Sequence, residues 1–337
     1  MTASPGPFAE VLIVIPCLNE ESHLPGLLAW LLDEAGEALI VVADGGSRDR
    51  SAAVVEEVAA RHPNVRLMSN PRRLQSAGVN LAARTFGAGR RWLIRIDAHC
   101  GYPPGYVAGL IEAALQTGAG SVVVPMVTRS EACFQRACAT AQNSVLGTGG
   151  SAHRHVGKGQ FIEHGHHALM SLADYMKVGG YDESFSHNED AELDLRLAGA
   201  GVRIWIEPAL SLDYFPRKTP TALARQYFGY GGGRARTAMR HKTRLKVRQL
   251  LPLSIAPLVL LAVVGGPFFW PLALPAAGWA FGCVSFGLLL GIRARNACAA
   301  MAGFAAMIMH FSWSAGFLQQ RLLKPAPGPS PSPISQG

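Results

Sequence analysis

The stretch LIRIDAHC, residues 93–100, closes an apolar run on Asp97 and His99. A carboxylate ending a strand, with an imidazole two residues on and on the same side of an extended chain, offers one oxygen and one nitrogen to a divalent cation. Mn²⁺ takes that mixed pair tolerably and Mg²⁺ less well, and a diphosphate would supply the remaining oxygens. The plainer alternative is a strand-end aspartate bonded to loop amides. A second acidic group lies in HNEDAELDLRL (187–197), where Glu189, Asp190, Glu192 and Asp194 fall within six positions of a helix start. The helix dipole favours acids there, yet four exceed what an N-terminus needs, and one facing a cleft could act as general base. Histidines cluster in HGHHA as His164, His166 and His167, with His153 and His155 in the segment before. Their spacing makes no helical H-x-x-x-H pair and no Cys/His framework accompanies them. A zinc site is therefore disfavoured, and a substrate-facing loop is expected.

These residues need a scaffold, and the hydrophobic pattern supplies one. VLIVIPCLNE (11–20) reads as a buried strand running into a loop, followed by a helix with Leu24, Leu27, Leu28 and Leu31 on one stripe. ALIVVADGGSRDRS (38–51) is a second strand ending in Asp44 and a Gly-Gly turn. Residues 65–70, 77–86, 91–97 and 105–115 continue the strand–helix alternation, which predicts an α/β fold with a doubly wound parallel sheet. In such sheets ligands bind beyond the carboxyl ends of the strands. Pro16 to Glu20, Asp44 to Ser47 and Asp97 to His99 would then share one rim. Singly the first two clusters are weak, because Asp-Gly is a common turn and Asn19 a common helix cap. The pattern loosens after 121–127 and returns with a helix over 191–198 and a strand over 202–208.

Only 16% of the 337 residues are charged, and the net charge is +8. Much of the excess lies in RARTAMRHKTRLKVR (234–248), directly before a nearly uncharged stretch. Without interleaved aromatics this run suits a cytoplasmic membrane flank and argues against nucleic acid as a partner. Three apolar pieces follow, 250–264, 268–290 and 297–317. Three spans is the first reading. It leaves Arg321 and Lys324 outside if the amino-terminal domain is inside, whereas two spans with a re-entrant third piece satisfy the positive-inside rule. The expected domains are a catalytic unit over 8–215, a basic and aromatic interfacial segment over 216–249, membrane helices over 250–320 and a disordered tail over 321–337. The first ten residues show no basic n-region or apolar core, so the six cysteines are expected to be free thiols in a reducing cytosol. In RQYFGYGGGRARTA (225–238) an arginine such as Arg234 could neutralise a phosphate.

Taken in order, VLIVIPCLNEESHL, IVVADGGSRDRS, NPRRLQSAGVNLA, RIDAH, VGGYDE, NEDAELDLRL and RQYFGYGGGRART resemble the family 2 glycosyltransferases, from about residue 11 to 236. The resemblance implies a nucleotide-diphosphosugar transferase (GT-A) domain followed by membrane helices. It implies that Pro16, Asn19, Glu20, Asp44, Gly45 and Asp97 hold the nucleotide of a UDP-sugar, and that Asp97 and His99 hold Mn²⁺ or Mg²⁺. Asp190, with Glu189 beside it, would carry the base. His166, His167, Gln226 and Arg234 would meet the acceptor or diphosphate, although the family's Gln-x-x-Arg-Trp motif has only a partial counterpart here. The implied reaction is inverting transfer of a sugar, with glucose expected, to a polyprenyl-diphosphate-linked saccharide in exopolysaccharide synthesis. It would take place at the cytoplasmic face of a bacterial inner membrane, with other polysaccharide-assembly enzymes as candidate partners. The rivals are a non-catalytic nucleotide-sugar-binding membrane protein and a metal-dependent hydrolase built on the histidines.

Overall fold

The structure, a computed structural model, describes residues 6, 8–148, 157–245, 247–325, 328 and 330–334. His153 and His155 lie outside the described residues. In chain order the elements are β1 (Val11–Cys17), α1 (Leu24–Ala35), β2 (Leu39–Asp44), α2 (Ser51–Ala59), β3 (Val65–Ser69), α3 (Gln75–Phe86), β4 (Trp92–Arg95) and α4 (Tyr106–Thr117). Then come β5 (Ser121–Val124), β6 (Met126–Thr128), α5 (Cys133–Gln142), α6 (Val145–Thr148), β7 (Gln160–Ile162), β8 (His166–Ser171), α7 (Leu172–Lys177), α8 (Glu189–Gly199), β9 (Ile204–Ile206) and β10 (Leu212–Tyr214). The chain ends with α9 (Pro220–His241), α10 (Val247–Leu253), α11 (Ile255–Gly265), α12 (Leu274–Ala294), α13 (Ala297–Ala300) and α14 (Ala302–Leu323).

Two compact units form, one from 1–125, 156–212 and 330–337, the other from 126–155 and 213–329. The first holds an eight-stranded sheet in the order β3-β2-β1-β4-β8-β5-β9-β7. Strands β1 to β4 are mutually parallel where they pair, as the alternating sequence predicts. Strand β8 departs from that prediction by running antiparallel to both β4 and β5, so the sheet is mixed. Its direction has a functional effect, because the amino end of β8 meets the carboxyl end of β4. The sheet's core is assembled from apolar runs such as Val11–Ile15, all fully buried, and from the α1 stripe Leu24, Leu28 and Leu31.

The tail was expected to be disordered, but residues near its end dock on this unit. Ile334 donates its amide to the Met176 carbonyl at 2.9 Å and packs against the core around Tyr175 and Tyr181. Gly179, at φ +87°, lets the chain turn there, and a Cβ on it would overlap the Ser332 carbonyl.

The second unit pairs β6 with β10 and surrounds a small-residue core of Ala137, Cys138, Ala141, Leu223, Ala302, Ala305, Ala306 and Met309. Helices α9 and α14 approach through glycines: a Cβ on Gly231 would overlap the Trp313 carbonyl, and one on Gly316 that of Phe228. Among the described residues two helices are long and apolar enough to cross a membrane, spanning Trp270–Ala294 and Ala297–Leu323, and a shorter apolar one covers Gln249–Gly265. The expectation of six free thiols is corrected here. Cys133 at the start of α5 and Cys298 in α13 lie 5.1 Å apart at Cα and form a disulfide, leaving Cys17, Cys100, Cys138 and Cys283 free.

Candidate active site

The loops after β1 and β2 are stitched into one cradle. Asn19, in the left-handed region at φ +58°, donates its amide to Ser47 Oγ at 2.8 Å and accepts from the Arg48 amide at 2.8 Å. The Glu20 amide reaches Ser51 Oγ, also at 2.8 Å, and the Gly45 amide reaches the Cys17 carbonyl at 2.8 Å. Asp44 closes its own turn by accepting from the amides of Gly46 and Ser47 and from Ser47 Oγ. Pro16, Asn19, Glu20, Asp44 and Gly45 therefore sit on two loops that hold each other in place, at the sheet edge where the fold puts ligands.

Beside this cradle, Arg95 organises the acidic residues. It ends β4, its side chain is 5% exposed, and it donates from Nε to Asp97 Oδ1 at 3.1 Å and from Nη1 to Asp190 Oδ1 at 2.9 Å. Asp190, at the start of α8, also accepts from the Tyr181 hydroxyl at 2.9 Å, and Asp97 accepts from Gln75 Nε2 at 3.0 Å. Burial by itself would raise both carboxylic acids, but the Arg95 charge together with the neighbouring His166 imidazole and hydrogen bonds outweighs it and holds Asp97 below, and Asp190 well below, the usual carboxylate range. Glu189 behaves oppositely. Burial, reinforced by the neighbouring Asp190 charge, pushes it up to about 7.

The histidines divide by face, because HHALMS forms a strand and not the expected loop. His166 points into the site, with Nε2 3.6 Å from Asp97 Oδ2 and Nδ1 3.7 Å from Asp190 Oδ2. His167 points the other way, which corrects its expected contact with acceptor or diphosphate. It is fully buried, with Nδ1 3.1 Å from Ser121 Oγ and Nε2 2.9 Å from Asp194 Oδ1. Asp194 is also 2.6 Å from His164 Nδ1, so this acid serves the interior. His99 Nδ1 lies 3.2 Å from Glu20 Oε1, and this tie joins the loop after β4 to the loop after β1.

Among the described residues no three His, Cys, Asp or Glu side chains converge on a point that would hold a metal ion. The donors present are a carboxylate on Asp97 and an imidazole on His99, a mixed set that fits Mn²⁺ when diphosphate oxygens complete the shell. Gln226 and Arg234 belong to α9 in the second unit, where Gln226 Nε2 donates to the hydroxyls of Tyr214 and Tyr230, each at 2.9 Å.

A family model described as "Glycosyl transferase family 2" matches residues 12–178. Succinoglycan biosynthesis protein ExoA of Rhizobium meliloti (strain 1021) is 48% identical over 316 residues, covering 92% of this chain and 94% of that protein. The chain belongs to glycosyl transferase family 2. An undecaprenyl-phosphate 4-deoxy-4-formamido-L-arabinose transferase of Pseudomonas aeruginosa (strain LESB58) is 36% identical over 118 residues, 33% of this chain and 34% of its own. Among solved structures, the mannosyltransferase PcManGT from Pyrobaculum calidifontis, in complex with GDP-Man and Mn²⁺, aligns with a TM-score of 0.53 at 18% identity over 89% of this chain and 86% of its own. That likeness shows the GT-A-like fold.

In this glycosyltransferase, Arg95, Gln75, Tyr181 and the Glu20–His99 tie are site features that motif reading passes over. Arg95 did leave a signal. It sits two residues before Asp97 in a strand whose neighbours are all buried, and a charge in such a place must find a partner on its own face.

Proposed function

We propose that this glycosyltransferase moves a hexosyl group, glucose being the first candidate, from a UDP-sugar to a hydroxyl of a polyprenyl-diphosphate-linked saccharide. The anomeric centre inverts, and the product is an intermediate of an exported polysaccharide of the succinoglycan class. Assembly takes place at the cytoplasmic face of a bacterial inner membrane. The observation that carries the reading is the meeting of Asp97, from the strand end beside the nucleotide cradle, with Asp190 around the single Arg95 guanidinium. A donor-side carboxylate and an acceptor-side base must lie on opposite flanks of one sugar, and the two ends of this ion-pair bridge provide those flanks. The similarity to ExoA supports the polysaccharide class, and the similarity to an undecaprenyl-phosphate transferase supports a lipid-linked acceptor.

In this reading Pro16, Asn19, Glu20, Asp44 and Gly45 line the uridine, and Asp97 and His99 face the diphosphate. Bound there, a divalent cation supplies charge neutralisation for the departing diphosphate. The carboxylate pair accepts the proton of the attacking hydroxyl. Gln226 and Arg234 are proposed to serve the acceptor side, with Gln226 orienting the Tyr214 and Tyr230 hydroxyls.

The test is to incubate membranes containing the full chain with labelled UDP-glucose, UDP-galactose or GDP-mannose and count label in the organic extract. Transfer from UDP-glucose that vanishes in Asp97→Ala is expected. Absence of lipid-borne label with every donor would sink the proposal.

A further inference from the structure

Two consecutive glycines, Gly179 and Gly180, lead from the end of α7 to Tyr181, and both lie at positive φ, +87° and +64°. A Gly-Gly turn has little conformational preference of its own, so its course is set by what touches it. From inside, the buried Asn80 holds it. Asn80 Oδ1 accepts from the Tyr175 hydroxyl at 2.6 Å and from the Tyr181 amide at 2.9 Å, and its Nδ2 donates to the Tyr181 carbonyl at 2.8 Å and to Glu183 Oε1 at 2.9 Å. Tyr181 then reaches the site: its hydroxyl donates to Asp190 Oδ1 at 2.9 Å and accepts from Arg95 Nη1 at 3.1 Å.

From outside, the turn is covered by SPSPI, residues 330–334, which belong to the same compact unit. The Met176 carbonyl takes the Gly179 amide at 3.0 Å and the Ile334 amide at 2.9 Å, so the segment satisfies an acceptor left over at the helix end. A Cβ on Gly179 would overlap the Ser332 carbonyl and crowd Pro331, and one on Gly180 would meet Asn80 Oδ1, the Tyr175 ring and Ile334 Cδ1. Both glycines are buried, and Ile334 packs on the cluster that contains Tyr175, Met176 and Tyr181. Pro331 and Pro333 fix φ within the segment, which lowers the entropy lost when it docks.

We propose, resting on the glycosyl-transfer reading above, that residues 330–334 are an internal ligand of the catalytic unit. Docked on the Gly179–Gly180 turn, they fix Tyr181 and through it the Asp190 carboxylate, with Ile334 as the positioning residue. The effect passes from Ile334 to Gly180, along the backbone to Tyr181, and from the Tyr181 hydroxyl to Asp190 Oδ1. Without the segment the turn is held from the Asn80 side alone. A reacting group displaced by about 1 Å can lose on the order of 10²-fold in rate, so a distant segment of this kind can govern turnover without touching substrate.

The experiment uses membranes containing the full chain, with labelled sugar nucleotides and the membranes' own lipids as acceptors, and kcat is expressed per folded molecule. Truncation after residue 329 is expected to lower kcat about 10–100-fold with the donor KM unchanged, and Ile334→Asp in the otherwise full chain should do the same. Tyr181→Phe should lower kcat by a similar roughly 10–100-fold, the scale of one hydrogen bond to a charged group. Truncation and Tyr181→Phe together should cost no more than about threefold beyond Tyr181→Phe alone, because both act through one contact. A segment that only stabilised the fold would leave kcat per folded molecule unchanged. A synthetic peptide of residues 330–337 at about millimolar concentration should restore part of the truncated chain's kcat, and the same peptide carrying Ile334→Asp should not. Wild-type kcat in the truncated chain, or losses that multiply in full with Tyr181→Phe, overturns the proposal and leaves glycosyl transfer intact. Absence of transfer by the wild-type chain from any donor overturns both.

Discussion

One guanidinium, on Arg95, serves two carboxylates that arrive from separate parts of the sequence, Asp97 two residues on and Asp190 after β8 and α7. The motif residues Asp97, Glu189 and Asp190 were legible as chemistry because acids at a strand end and at a helix start stand out against apolar runs. Their connection was not legible, since nothing local tells an arginine in a strand which distant acid it will meet. His99 shows the complementary case. Its imidazole could be read as a cation ligand, and the structure adds a partner that spacing could not reveal, Glu20 at 3.2 Å. Replacing His99 with aspartate puts an oxygen donor in the place of nitrogen and a second acid beside Glu20. Mg²⁺, which prefers oxygen, should gain on Mn²⁺. The expected result for His99→Asp is measurable transfer with a raised Mg²⁺/Mn²⁺ activity ratio. An unchanged ratio would assign His99 to the Glu20 tie alone.

Among the elements, the first four strands and their helices follow from periodicity, since each is a short apolar run or a clear leucine stripe. Strand β8 does not, because HHALMS is brief and a pattern of period two carries no information on direction. Its alternating faces put His166 in the site and bury His167 against Asp194 of α8. That pair ties strand to helix with a definite pH signature. Burial would push the His167 imidazole down, but the Asp194 charge and hydrogen bond, joined by the Asp190 charge, together outweigh it and its pKa is raised. Asp194 is held below the ordinary range by His167 and His164 against its own burial. The His167 contribution to stability is fully present below its unfolded pKa of about 6.5 and is lost as pH climbs through the raised folded value. The Asp194 contribution is present above about 3.9 and is lost as pH falls through the depressed one. The pair therefore stabilises fully between roughly pH 4 and 6.5. Above that window, unfolding free energy should decline by at most about 1.4 kcal/mol per pH unit from this histidine. Chemical denaturation of the solubilised protein at pH 6 and pH 8.5 checks the decline, which should be flattened in His167→Gln. An equal decline in that variant would place the titration elsewhere.

For the whole molecule, sequence hydropathy gave three apolar pieces and left two or three crossings open. The second unit supplies a physical basis for choosing. The most apolar window of α12 is 11% buried within the protein, whereas that of α14 is 50% buried. Helix α14 packs against α5 and against α9 through Gly231 and Gly316. Since α9 carries Arg225, Arg234, Arg236 and Arg240, a helix lying beside it sits where arginines sit, and bilayer hydrocarbon is a costly place for arginine. The segment Gln249–Gly265 is apolar and half-exposed, and at 1.5 Å per residue it reaches roughly 25 Å, short of the usual ~30 Å by an amount a bilayer absorbs through thinning. Crossings at Gln249–Gly265 and Trp270–Ala294 would keep the basic 242–248 flank, Arg293, Arg295, Arg321 and Lys324 on one side, as the positive-inside rule asks. Three crossings would put Arg321 and Lys324 on the far side. A reporter fused after residue 337 is therefore expected to read cytoplasmic, and one inserted at 266–268 to read external. An external carboxyl terminus would show that α14 crosses the bilayer and that its contacts with α9 give way to lipid.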